Sequence, residues 1–314
     1  MGPRFQIIPY TKESLQLLEE HVLVKRLPES LHILTLCRIA SQDRFSKKIS
    51  VQFYKYTDPT NEECLRKSEA DPFIVCIQRP NIHTQKGIIM LPPQNPTPMH
   101  IQTFDNFIGW DRDQAFQCIQ PSFWEPLQKL CQLHKNLNND NSLGIPGIML
   151  AMDNEQARQL NVPSTSTSED EEIVYRSLNQ DDVQTVVSSW KWAAPHSEAQ
   201  IRETIQTLPS FGLFVKTADA DGENGGETVE HMATCVMVSP LGAFNILHTF
   251  DNYRRRGFGG MLMKRGAKEV ATQLDIPCLA EVEVWNDASK TLLEKVGYRE
   301  IFQTRWYFYE PPCK

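Results

Sequence analysis

The chain has 314 residues, 40% hydrophobic and 23% charged, which suits a globular protein of two domains and excludes a collagen, a coiled coil or a wholly disordered chain. Its 32 basic and 39 acidic residues leave a net charge of −7, so unspecific attraction to nucleic acid or anionic lipid is not expected and any anion site must be local. The 8 cysteines form no C-x-x-C pair, no histidine cluster has zinc-ligand spacing, and no apolar run nears the ~20 residues of a membrane span, so neither a metal nor a spanning helix is expected.

Met1–Val24 is interrupted by Glu13, Glu19 and Glu20, which argues against a secretory signal and against a matrix-targeting presequence. The expectation is an intracellular, cytoplasmic protein with reduced thiols. Leu15, Leu18 and Val22 recur at helical spacing behind Thr11, a capping residue. Leu31–Ile39, Ile49–Tyr56 and Phe73–Gln78 read as strands rich in branched and aromatic residues. The prolines of Leu91–His100 read as a loop, Ser122–His134 as a helix and Gly147–Met152 as a short strand. This half carries no chemical motif. Ser164–Glu172 is polar and then acidic, as a solvated linker would be, and divides the chain into residues 1–162, a linker at 163–171, and residues 172–314.

In the second half, Glu172–Ser177 reads as a strand, Asp181–Trp190 as a helix, and Ser197-Glu-Ala-Gln200 as a capping box opening a helix through Leu208. Phe211–Lys216 and His231–Val238 are strands joined by a Gly/Asp-rich hairpin loop at 219–226, and Ala243–Phe250 is a third strand. It runs into Asp251-Asn-Tyr-Arg-Arg-Arg-Gly-Phe-Gly-Gly260, after which Met261–Leu274 has helical periodicity. Gly257, Gly259 and Gly260 let backbone N–H groups approach a ligand, the helix start adds partial positive charge, and Arg254, Arg255 and Arg256 add full charges. This is the one strongly basic spot of an acidic chain, and a pyrophosphate cradle fits it better than an import patch or an ordinary turn.

Here the sequence resembles the GNAT superfamily of acyl-CoA N-acyltransferases, whose signature Gln/Arg-x-x-Gly-x-Gly/Ala is matched by Arg254-x-x-Gly257-x-Gly259. The order downstream is similar too: a strand from Cys278 to Val284, Asn286 and Ser289 ahead of a helix to Val296, then Gly297-Tyr298 and a final strand. Within the superfamily the likeness is to glycine N-acyltransferase-like proteins, through Trp190, Ile201, Ile205, Pro209, Thr249 and Tyr253, and through Leu27-Pro28-x-Ser30-Leu31 in the first half. The resemblance implies an α/β (α+β) GNAT fold, a mixed twisted sheet flanked by helices, in which a degenerate amino-terminal copy precedes a catalytic carboxy-terminal one. It implies acyl-CoA or acetyl-CoA as co-substrate, held by Leu247, Thr249, Arg254–Gly260 (Phe258 included), Asn286 and Ser289. It implies a small amine acceptor, glycine or another amino acid, and it leaves a mitochondrial location open.

The chemistry would be direct attack of an amine on a thioester, with N–H groups near Leu247–Thr249 stabilising the oxyanion. The resemblance implies a glutamate base where this chain has Gly242-Ala243, and a tyrosine acid where it has Leu293. Replacement bases are His248, whose ordinary pKa of about 6.5 suits the task, and Glu281 and Glu283, which share one face of their strand. A hydrogen-bonded strand histidine and solvated carboxylates are the plain alternatives. Trp190 and Trp192 are candidates for the wall of an acyl or acceptor pocket; Cys278 reads as a small buried residue and not a nucleophile. Two functions remain open: an acyl-CoA-dependent N-acyltransferase, and a non-catalytic acyl-CoA-binding protein that kept the cradle and lost the base.

Overall fold

The computed structural model describes residues 2–42, 51–57, 71–78, 86–135, 144–162, 171–193, 197–218, 228–239 and 241–311. The chain forms two compact units: Met1–Met149 with Val282–Trp285 and Glu300–Lys314, and Leu150–Glu281 with Asn286–Arg299. The linker expected at 163–171 lies outside the described residues except for Glu171, as does the hairpin loop expected at 219–226. Residues 150–162 cluster with the second unit, where Asp153 caps a short helix and Arg158 donates to Ala271 O (2.9 Å) and to Asp275 (2.5 Å).

In the first unit the described elements are β1 (Arg4–Ile7), α1 (Lys12–Leu18), α2 (Leu31–Ala40), β2 (Val51–Thr57), β3 (Ile74–Gln78), β4 (Lys86–Leu91), α3 (Pro98–Ile108), β5 (Gln114–Ile119) and α4 (Pro121–Lys135). β6 (Ile145–Met152) is divided between the units. β1 to β4 pair antiparallel in sequence order, and β4 pairs parallel with β5. Thr11 caps α1 as expected, its side chain accepting from Ser14 N. Leu31–Ile39 is not a strand: it forms α2, and eight of that helix's residues are buried. A helix apolar nearly all round has no polar stripe, so its sequence reads as a buried strand. The loop expected at Leu91–His100 ends at Thr97, which caps α3 with Pro98 in its first turn, the one place in a helix where proline costs nothing. The core is aromatic, with Phe73, Phe104 and Phe123 in mutual contact at centroid distances of 5.3–5.6 Å.

The second unit contains, after the short helix α5 (Asn154–Arg158), β7 (Glu172–Ser177), α6 (Val183–Ser189), α7 (Ser197–Thr207), β8 (Ser210–Ala218), β9 (Thr228–Val238), β10 (Ala243–Thr249), α8 (Phe258–Gln273), β11 (Cys278–Glu283, through Glu281) and α9 (Asp287–Val296). β7, β8, β9 and β10 are antiparallel neighbours, and β10 is parallel to β11. The order strand, two helices, three strands, helix, strand, helix, strand thus runs from β1 to β6 and again from β7 to β12 (Arg299–Tyr309). The last strand of the repeat does not stay with its own copy. Glu300–Tyr309 belongs to the first unit, where β12 pairs antiparallel with β5 from Arg305↔Ile119 to Tyr309↔Gln114.

Candidate functional site

β10 is where the second sheet opens. It pairs with β11 only at Ala243↔Leu279 and Phe244↔Ala280, so Asn245–Thr249 continue along β9 with β11 no longer alongside. Between Asn245 and His248 the register with β9 shifts, and Ile246 takes a left-handed φ of 54°. A bulge of this kind re-aims the side chains that follow it. His248 then lines a cavity, while Thr249 faces the start of α8, donates to Thr234 Oγ1 (3.1 Å) and leaves Thr234 to donate to His248 O (2.7 Å).

The turn from β10 into α8 holds Arg255 at φ 63° and Gly257 at φ 81°; the second value favours glycine because a Cβ crowds the backbone there. As the N-cap, Gly257 offers no side chain to the helix, and the first helical bond runs from Met261 N to Gly257 O (3.0 Å). The N–H groups of Phe258, Gly259 and Gly260 therefore precede the first turn's acceptors and remain available to an anion. A Cβ on Gly257 or Gly260 would meet nothing within 4 Å, so the backbone there is open to a ligand. Gly259 differs: a Cβ would lie 3.0 Å from Leu292 Cδ1 and 3.2 Å from Thr249 Oγ1, so it is glycine for packing. The Phe258 side chain is buried, which leaves only its backbone for a ligand.

On the face of β10 that carries His248 lies an open cavity of about 800 Å³ lined by Arg176, Asp182, Thr185, Ser188, Ser189, Phe214, Glu230, His231, Met232 and the run His248, Phe250–Arg254. Arg176 organises it. The guanidinium lies 3.6 Å above the Phe214 ring, donates to both carboxylate oxygens of Asp182 (2.7 and 3.0 Å) and gives its Nε to Glu230 (2.8 Å). Asp182 also accepts from Asn179 N (2.8 Å), closing a capping box at the entry to α6. His248 is half-buried, packs edge-on to Phe250 (4.9 Å), and is held below the ordinary imidazole pKa by burial and then by Arg254, with Asp251 opposing. An imidazole so placed is neutral at pH 7 and can accept a proton. Sequence reasoning missed Arg176, Asp182 and Glu230; the Asn179-x-x-Asp182 spacing was a readable signal for the cap but not for the cavity it helps build.

The remaining expected residues fall in several places. Asn286 caps α9, its side chain accepting from Ser289 N (3.2 Å), so these two meet each other. Glu281 is the first residue of β11 beyond its last pairing with β10, whereas Glu283 lies in the segment that clusters with the first unit. Trp190 packs on the apolar cluster of Val183, Val186 and Ile201, and Trp192 is 51% exposed with Lys191 over its ring; neither lines the cavity among the described residues. Cys278 is buried, donates to Ala267 O (3.3 Å), and desolvation pushes its thiol up to about 12, which fits a packing residue and not a nucleophile. Ala243 and Leu293, where the resemblance implies a base and an acid, are buried apolar positions. Among the described residues no group of His, Cys, Asp or Glu could hold a metal, and no helix is long and apolar enough to cross a membrane.

Residues 224–307 match the profile of a family described as FR47-like protein. No curated protein matches the chain. Among solved structures, a Drosophila protein determined as a structural-genomics target aligns over 99% of this chain and 100% of its own at 16% identity and a TM-score of 0.75. A tandem GNAT protein from the clavulanic acid biosynthesis pathway, solved without AcCoA, aligns over 100% of both chains at 10% identity and a TM-score of 0.53. What is shared at these identities is the fold: a mixed α/β sheet flanked by helices, laid down twice in one chain.

Proposed function

We propose that this protein is an acyl-CoA-dependent N-acyltransferase that passes an acyl group from a CoA thioester to the amine of a small acceptor, glycine or another amino acid. The observation that carries the reading is the junction of β10 and α8, where a strand parting from its parallel neighbour feeds an uncapped helix start with open glycines and arginines. The profile match over 224–307 and the tandem fold agree with it.

On this reading the diphosphate lies on the N–H groups of Arg255–Gly260 with the Arg254–Arg256 charges nearby, and the pantetheine arm enters between β10 and β11 along Leu247–Thr249, with Asn286 and Ser289 at the far wall. The amine nitrogen attacks the thioester carbonyl carbon, and His248 takes the proton that the nitrogen sheds. Backbone N–H groups of β10 near Leu247 hold the oxyanion, and collapse of the tetrahedral adduct re-forms the carbonyl while expelling the CoA thiolate. Glu281 and Glu283 stand in reserve as bases. The second reading, an acyl-CoA-binding protein without turnover, draws on the apolar side chains at Ala243 and Leu293. A thiol-release assay over several acyl-CoAs and amino acids separates the two. Release that depends on an amine supports the enzyme, and CoA binding without release under every amine tried leaves the binding protein.

A further inference from the structure

The three arginines of the turn are engaged differently. Arg254 donates from Nε to Thr249 O (3.1 Å) and pairs with Asp251 (2.9 Å). Arg256 lies over the Phe258 ring, 4.7 Å from its centroid, and both its terminal nitrogens meet the carboxylate of Glu171, the residue just ahead of β7. The ion pairs of the turn among the described residues are those of Arg254 and Arg256, and Arg255 has none. Two of the three charges gathered before α8 are thus matched by carboxylates within the protein, and a guanidinium that grips a carboxylate through its fork cannot offer the same fork to a phosphate.

We propose that Glu171 is a positioning residue that limits the anion affinity of this turn: it keeps Arg256 as its partner, and a phosphate-bearing ligand arriving at α8 competes with it for that guanidinium. The inference rests on the acyl-CoA reading and names a determinant of affinity that no signature residue supplies. The side chains of Arg256 and Glu171 are 38% and 29% exposed, so the pair sits in the regime where an ion pair adds little to folding. Its larger effect is on charge. With the Glu171 carboxylate on Arg256 the turn presents Arg255 and the helix N-terminus; with glutamine in its place the turn presents Arg256 as a second cation.

The test is calorimetric titration of the full chain with CoA at low ionic strength. Glu171→Gln keeps the length and shape of the side chain and removes its charge. It is expected to tighten CoA binding roughly two- to fivefold, the range of an exposed ion pair, and the gain should shrink as salt is added. The double variant Glu171→Gln/Arg256→Gln should bind as Arg256→Gln alone does, because the released guanidinium is what the ligand gains. CoA affinity that is unchanged or weaker in Glu171→Gln, with the wild type binding CoA, overturns the inference and leaves the acyl-CoA reading standing. A folded wild type that binds no CoA overturns both.

Discussion

Burial and the guanidinium of Arg254 both oppose protonation of His248, which places the acid limb of its titration below the ordinary value of about 6.5. If His248 accepts the amine proton, kcat/KM should rise with pH through an apparent pKa below 6.5 that is absent from the profile of His248→Gln. His248→Gln should then keep CoA affinity and lose most turnover, as measured by thiol release. Full turnover in that variant would move the role to Glu281 or Glu283. Gly259 and Gly260 allow a second test, because neighbouring glycines face different surroundings. Gly260→Val points into open space and should weaken CoA binding tenfold or more with little change in Tm, whereas Gly259→Val drives into Leu292 and Thr249 and should cost about 1–3 kcal/mol of stability, read by urea unfolding. Equal losses of stability in both would show that the open face assigned to Gly260 is filled. His32, in the first unit, is a second imidazole whose protonation burial opposes. It is wholly buried and pressed down to about 4 by desolvation. Between pH 4 and 6.5 the unfolded chain binds the proton that the folded chain refuses, so stability rises with pH across that window and is lost as pH falls through it. The unfolding free energy of wild type relative to His32→Leu should therefore shrink by about 3 kcal/mol from pH 7 to pH 4; a difference that does not vary with pH would contradict the shift.

Among the elements, α6 shows how a helix start builds a cavity wall. Asn179 and Asp182 reciprocally cap the 3-10 turn Gln180–Asp182 that leads into it, and Asp182 also takes the Arg176 fork, so one carboxylate satisfies a backbone N–H and a guanidinium together. Asp182→Ala should destabilise the protein by about 2 kcal/mol, because Arg176 keeps Glu230 but loses its main partner. A urea midpoint within error of wild type would count against that role. Most elements of the second unit were legible in the sequence, since strand alternation, glycine punctuation and caps agree there. β10 to α9 in particular could be placed from the run Asp251–Gly260 and Asn286 alone. α2 was not legible, because burial on all sides erases the periodicity that separates a helix from a strand, nor was α3, whose capped, proline-started first turn looks like the loop before it. The cavity was illegible for another reason. Arg176, Asp182 and Glu230 are brought together across β7, the entry to α6 and β9, a non-local pairing that no spacing rule reaches.

At the scale of the whole chain, the same order of elements has been laid down twice with unequal results at the corresponding junction. In the second unit β10 leads into an uncapped, glycine-bearing helix start. In the first, β4 leads through Pro92, Pro93 and Pro96 to Thr97, whose hydroxyl takes His100 N (3.3 Å) while His100 Nδ1 takes Thr97 N (3.1 Å). Prolines have no N–H to offer, and the helix start is already capped by its own side chains. CoA should accordingly bind with a stoichiometry of one per chain, measured by calorimetry; two equivalent sites would show that the first junction had kept its function.

The exchange of β12 has a consequence in time. Tyr309 O–H donates to Trp110 O, 199 positions earlier, and along the same stretch β12 covers the edge of β5. At a synthesis rate of ~5–20 residues per second, β5 leaves the ribosome roughly ten to forty seconds before the strand that pairs with it. For that interval the nascent first copy carries a bare sheet edge beside an aromatic core, ready to pair with any extended chain that reaches it. Birth order and completion order are therefore reversed: the half of the protein made first is the half whose sheet is finished last, and its yield in a cell depends on how well that edge is sheltered until synthesis reaches β12.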